Sequence, residues 1–518
     1  MNVKHLFSLI LLATYTISCH GAFRFANYMQ DHMVLQRAPK RAVVWGYSDT
    51  SSDITLEFDN QMYKTISGSH PVNNYGESIW SITLDPQPDG GPNQINVHQT
   101  LPNGTLITIT LNDVYFGDVW FCSGQSNMQM TVRDIFNASI EIANANKYPK
   151  IRLFTAALKP SATPVEELIG IEQNWSIPSA ESVGGPSWSY ISAVCWLYGR
   201  MIHEELGGIP IGLIVSSWGG TAIELWMPPQ PLHDCGISSG MVPLQSYNQL
   251  LQIQETLNNS NLYNAMIYPF TRMVIYGAIW YQGESNSDYN RDKYTCTFSK
   301  MIQSWREIWH ERTNGTTDIQ FPFGFVQLST STNDSRKVGG FPWIRWHQTF
   351  DVGYVPNHVV PNVFMAVALD LRDDPNNVHP RTKHDVAYRL SRAGLAVAYN
   401  RSIEFQGPIV SNANVSSDRE RIYVTYTTVT DMIFQSLDGF EICCQGVTCE
   451  TNDDVWIPSS ISDKSDLTLI IRIRNACTGK PIYGLRYLWH ETPCPYKQAA
   501  IYSFTDPNLP SPPYMKIF

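Results

Sequence analysis

The chain has 518 residues, of which 43% are hydrophobic and 16% charged, and a formal net charge of −10. That length exceeds one ordinary domain, and the balance is that of a folded protein with sizeable cores rather than a disordered one. Negative charge without any basic run excludes a nucleic-acid groove. Residues 1–21 read as a secretory leader. Lys4 and His5 give a weakly basic start, residues 6–17 are almost wholly apolar, and the small residues about Cys19-His20-Gly21-Ala22 place cleavage near Gly21. The apolar stretch is short for a membrane span, and no later one is long enough.

Residues 22–112 alternate strand-like segments with turns, at 41–45, 54–58, 78–84, 94–98 and 106–111, with Gly-Gly-Pro at 90–92 as a turn. Short strands with polar breaks predict a small β-sandwich-like module. The pattern changes over 113–400. Strand-like runs at 119–122, 151–154, 212–215, 274–280, 323–328 and 363–369 alternate with helical patterns, clearest at 193–206, 291–309 and 383–399. Such alternation predicts an α/β domain with a mainly parallel sheet. Residues 401–518 return to short strands, such as 421–427 and 467–473, and form a second β module.

Sequons for N-glycosylation at Asn103, Asn137, Asn174, Asn258, Asn314, Asn333, Asn400 and Asn414 agree with a secreted chain. Of the ten cysteines, Cys19 leaves with the leader. Cys443, Cys444, Cys449, Cys477 and Cys494 crowd the C-terminal module and predict disulfide bracing there. The odd remainder leaves one thiol unpaired, and Cys122 is the expected one. No cysteine–histidine spacing suits a zinc site.

Residues 117–130 read Gly-Asp-Val-Trp-Phe-Cys-Ser-Gly-Gln-Ser-Asn-Met-Gln-Met, an apolar run that breaks into a tight turn. A strand ending in one exposed hydroxyl, with Gly124 permitting the bend, presents Ser126 as a nucleophile. This string resembles the nucleophile block of the sialate O-acetylesterase family of SGNH hydrolases. Val34-Leu35-Gln36-Arg37, Val44-Trp45-Gly46, Ser216-Ser217-Trp218-Gly219-Gly220-Thr221, Trp280-Tyr281-Gln282-Gly283-Glu284-Ser285-Asn286 and Val378-His379-Pro380-Arg381 resemble its other blocks, in the family's order. The resemblance implies an SGNH-like three-layer α/β/α domain flanked by β-rich modules. It implies a serine carboxylesterase that releases acetate from O-acetylated sialic acid, with water as second substrate and no need of a metal or organic cofactor.

Serine needs a base within reach, and His379, in the loop after the run 363–369, is the expected one. His347 and His384 read as structural. Related SGNH enzymes carry an aspartate three residues before this histidine; here that position is Asn376. Asp374 is the favoured third member, with Asp373 and Asp370 nearby, and a Ser–His dyad oriented by a backbone carbonyl is the alternative. Oxyanion donors are expected from the N–H of Ser126, a backbone N–H of Gly219 or Gly220, and the side chain of Gln282. Glu284 reads as a buttress. Arg345 and Gln348 resemble a family segment at the crevice; Arg345 reads either as the partner of the sialate carboxylate or as a surface arginine packed on Trp343 and Trp346. An acetylesterase for other O-acetylated glycans and a catalytically weak glycan-binding relative are the competing functions.

Overall fold

The computed structural model describes residues 23–73, 76–101, 103–244, 256–332, 334, 337–375, 377–449, 453–473 and 477–518. The leader with Cys19, Asn333 and Asn376 lie outside the described residues. Two compact units are present: one takes the chain up to Ala26, Trp45–Ile82 and Ile95–Thr110, and the other takes Asn27–Val44, Thr83–Gln94 and Leu111–Phe518.

In the smaller unit Asp53–Phe58 pairs antiparallel with Gln61–Ile66, and residues 54–57 pair antiparallel with 96–99. Ile54, Leu56 and Phe58 alternate inward, as the two-residue period of a strand requires. Gln61–Ile66 has no counterpart among the expected segments, because most of its side chains are exposed and no apolar face marks it. Trp80 is fully buried and donates its indole N–H to the Tyr47 carbonyl at 3.1 Å.

Gly-Gly-Pro at 90–92, in the larger unit, opens the strand Gly90–Thr100 instead of turning, and the residues of that strand from Ile95 on belong to the smaller unit. A Cβ on Gly91 would come within 2.8 Å of the Val114 carbonyl oxygen and the Tyr115 ring, so glycine there serves close approach. The expected segments 106–111 and 119–122 are one strand, Leu106–Gly124. The central sheet runs in the order Ile171–Ser176, Ile151–Ala156, Ile211–Ser217, Leu106–Gly124, Gly277–Tyr281, Phe323–Gln327, Val363–Val367. The neighbours pair in parallel except the antiparallel edge strand Ile171–Ser176, whose polar sequence hid it.

Both faces of this sheet are covered, as parallel sheets demand. Trp120 points to one face and packs on Tyr198 of the helix Ala193–Glu205, ring centroids 5.0 Å apart. The next residue, Phe121, points to the other and packs on Trp305 and Trp309 of the helix Tyr294–Arg312, at 6.0 and 5.2 Å. The helix Lys383–Val397 lies beside Ala193–Glu205. The architecture is therefore helix, sheet, helix.

Cys122 shares its face with Trp120, two residues back, and forms a disulfide with Cys195 of that same helix. The expectation of an unpaired Cys122 is thus wrong. Cys235 bonds Cys296, while Cys443–Cys449 and Cys444–Cys477 brace the C-terminal module. The free thiol among the described residues is Cys494. The C-terminal strands build two four-stranded sheets, one from Ile409–Val415, Arg421–Thr427, Thr468–Arg472 and Ile461–Ser465 and one from Trp456–Ser459, Phe440–Cys443, Gly484–Tyr487 and Tyr514–Ile517. No helix among the described residues is long and apolar enough to cross a membrane.

Candidate active site

Of the seven strands in that order, Leu106–Gly124 comes first in the chain, and later strands add on both sides of it. Gly124 is flanked in register by Ser217 on one side and Tyr281 on the other. Loops leaving these strand ends diverge and open the crevice where open α/β sheets bind ligands. Gly124 has φ 140°, and a Cβ there would meet the Tyr281 carbonyl oxygen at 2.2 Å. Only glycine lets the chain turn so tightly at this point.

Ser126 opens the four-residue helix Ser126–Gln129. Its N–H, first in the helix, has no intrahelical acceptor and is available to an oxyanion. Its Oγ makes no hydrogen bond among the described residues. Gly219 lies directly against the serine: a Cβ on it would stand 3.2 Å from the Ser126 Cβ. The Gly219 N–H, however, donates to Gln129 Oε1 at 2.7 Å. Gly220 follows in the left-handed region, φ 74°.

Asn127 ties the blocks together. Its Nδ2 donates to Glu284 Oε1 at 2.7 Å and to the Val378 carbonyl at 3.1 Å, and its Oδ1 accepts from Lys383 Nζ at 2.7 Å. The residue after Ser126 is thus bonded to the residue before His379. The His379 ring packs edge-on to Trp188, centroids 5.1 Å apart. Burial, with the charge of Lys383 as a lesser cause, brings His379 down to about 4, so the imidazole is neutral and able to accept a proton at neutral pH. Burial pushes Glu284 up, against the hydrogen bond from Asn127.

The remaining expected residues divide clearly. Gln282 is fully buried, donating to the Thr221 carbonyl and Asn286 Oδ1 and accepting from the Tyr294 hydroxyl. Its amide hydrogens are committed to holding the loop. Arg345 is fully buried, with its guanidinium on the carbonyls of Leu328, Ser329, His490 and Glu491. Gln348 is equally buried, donating to the Gln282 and Val326 carbonyls and accepting from the Leu328 N–H. Arg345 and Gln348 are not brought to the crevice surface, because their polar ends satisfy interior backbone groups that would otherwise be stranded. Asp370 is taken by Arg389 and the Tyr502 hydroxyl, and Asp373 by Arg381.

Asn127, Gln129, Trp188 and Lys383 escaped the sequence reading. Asn127 and Gln129 stood in the quoted block with nothing to distinguish them from turn residues. Trp188 and Lys383 carried no motif at all. Beside Gln129 a cavity of about 90 Å³ is lined by Thr155, Leu158, Glu172, Trp188, Tyr190 and Ser217.

Residues 116–394 match the family described as carbohydrate esterase, sialic acid-specific acetylesterase, and 411–518 match the sialate O-acetylesterase C-terminal domain. A sialate O-acetylesterase from Mus musculus is 40% identical, the match covering 98% of this chain and 96% of the relative. The Homo sapiens protein of that name is also 40% identical, over 95% of this chain and 92% of its own. A carbohydrate acetylesterase from Xanthomonas citri has a similar crystal structure, with TM-score 0.76 and 25% identity over 95% of this chain and 99% of that one. The chain belongs to the sialate O-acetylesterase family.

Proposed function

We infer that the chain removes O-acetyl groups from sialic acids, with Ser126 as nucleophile and His379 as base. The Asn127 side chain is the observation that carries the reading: it joins the serine turn to the histidine loop at the carboxyl edge of the sheet. Ser126 Oγ attacks the acetyl carbonyl carbon while His379 takes its proton. The carbonyl oxygen becomes an oxyanion, held by the N–H groups of Ser126 and Gly220. Collapse breaks the bond to the sugar oxygen, which leaves with the proton from His379. Water, deprotonated by the same imidazole, then attacks the acyl-enzyme and releases acetate and free Ser126. Asp374 orients the imidazole in this scheme.

The cavity beside Gln129 supports a seat for an uncharged, hydroxyl-bearing part of the sugar. Trp188 and Tyr190 offer aromatic faces, and Glu172 with no basic residue in the lining disfavours a carboxylate there. Four disulfides among the described residues, with the expected leader, support passage through the secretory pathway to a secreted or lysosomal destination.

The test is acetate release by the purified protein from O-acetylated sialic acid and acetylated xylose, side by side. Sialate ester should be preferred, and Ser126→Ala should lose about a thousandfold or more in kcat without loss of folding. Near-wild-type turnover in that variant would overturn the nucleophile, and preference for the xylose ester would overturn the substrate.

A further inference from the structure

Lys383 is the first residue of the helix Lys383–Val397, and its side chain is fully buried. Both features oppose an ammonium: burial strips its water, and the positive end of a helix disfavours a cation. Its bonded acceptors are moreover an amide and a carbonyl rather than a carboxylate. Nζ donates to Asn127 Oδ1 at 2.7 Å and to the Pro380 carbonyl at 2.7 Å. Asn127 follows Ser126 in the chain, and Pro380 follows His379. One buried cation thus bonds the neighbour of the nucleophile and the neighbour of the base.

We propose that Lys383 is a positioning residue of this esterase, whose ammonium fixes the serine turn and the histidine loop in one frame. The proposal rests on the reading of Ser126 and His379 given above. A neutral residue would pack at least as well in this interior, so an expensive cation needs a task, and its two acceptors name it.

The ammonium also acts through its field. It faces Asn127, Pro380, the Tyr281 ring at 5.3 Å, Glu284, Asp373 and His379. Glu284 and Asp373 favour its charge, but burial opposes it more strongly and brings Lys383 down to about 7. On the acid side of neutrality it is therefore charged, and there it repels a proton arriving on His379. Removing the charge lets the imidazole protonate at higher pH, so the acid limb of kcat/KM moves upward.

The experiment uses Lys383→Met and Lys383→Gln in the full chain, with folding checked by circular dichroism and thermal melting, and Ser126→Ala as the blank. Both lysine variants should lower kcat by about ten- to a hundredfold with KM within about twofold, as misplacement of reacting groups does. Both should raise the acid limb by about half a pH unit or more. Glutamine, which still donates to Asn127, should recover part of kcat but not the limb. Unchanged kcat and limb in a folded variant would overturn the proposal, and so would a fall in kcat with an unmoved limb and no recovery by glutamine. If methionine does not fold there, Lys383→Gln decides alone. Activity persisting in Ser126→Ala would instead point to failure of the nucleophile assignment.

Discussion

His379 illustrates how surroundings select chemistry for a common residue. Its imidazole is largely shielded from water and lies near a buried ammonium, and both disfavour its protonated form. The acid limb of kcat/KM should consequently lie near pH 4, well below the 6.5 of an ordinary histidine, and a pH–rate profile from pH 3 to 8 checks this. A limb at 6 or above would contradict it. In the proposed triad Asp374 is the third member, orienting the same ring. Asp374→Asn should lower kcat by about a hundredfold or more at neutral pH with little change in KM, since the carboxylate supports both tautomer and developing charge. Asp373→Asn, which loses its bonds to Arg381 and a charge that favours the Lys383 ammonium, should cost less than about tenfold. Steady-state kinetics on the two variants separates a triad from a dyad oriented by backbone.

At the scale of elements, the serine turn depends on the close approach of two neighbouring parallel strands. The Gly124 backbone touches Tyr281 of the adjacent strand, and its φ is one that other residues avoid. Gly124→Ala should destabilise the fold by about 3 kcal/mol or more, through overpacking against immovable backbone and strain in φ. Denaturant melts would register it, and activity would fall with it. The same turn shows where reading a sequence succeeds. Short apolar runs such as 212–215 and 363–369 announce strands because strands of a sheet covered on both faces carry such composition. Ile171–Ser176 and Gln61–Ile66 pair through backbone while carrying polar side chains, so their hydrogen bonds left no trace in residue type. Arg345 misled for a related reason: a guanidinium at a crevice and one capping interior carbonyls look alike in one dimension.

Across the whole molecule, the cysteines make the same point. Pairing Cys122 with Cys195 requires knowing which face of the sheet each occupies, which spacing along the chain does not reveal. Alkylation of the unreduced, unfolded mature chain should label Cys494 and none of the eight bridged cysteines, as peptide mass spectrometry would show. Cys122→Ser combined with Cys195→Ser should cost about 2–4 kcal/mol of stability, read from denaturant unfolding.

Arg345 sets the terms on which the polypeptide can be shortened. Two of its four carbonyl partners, His490 and Glu491, come from the final thirty residues or so, and Tyr502 from the same stretch bonds Asp370 beneath the histidine loop. A chain ending before them would leave a guanidinium in the interior with half its acceptors gone, a defect of several kcal/mol. In an organism carrying this gene, a premature stop before residue 490 should therefore act as a null allele. No partial enzyme would be left to be inherited as a mild one.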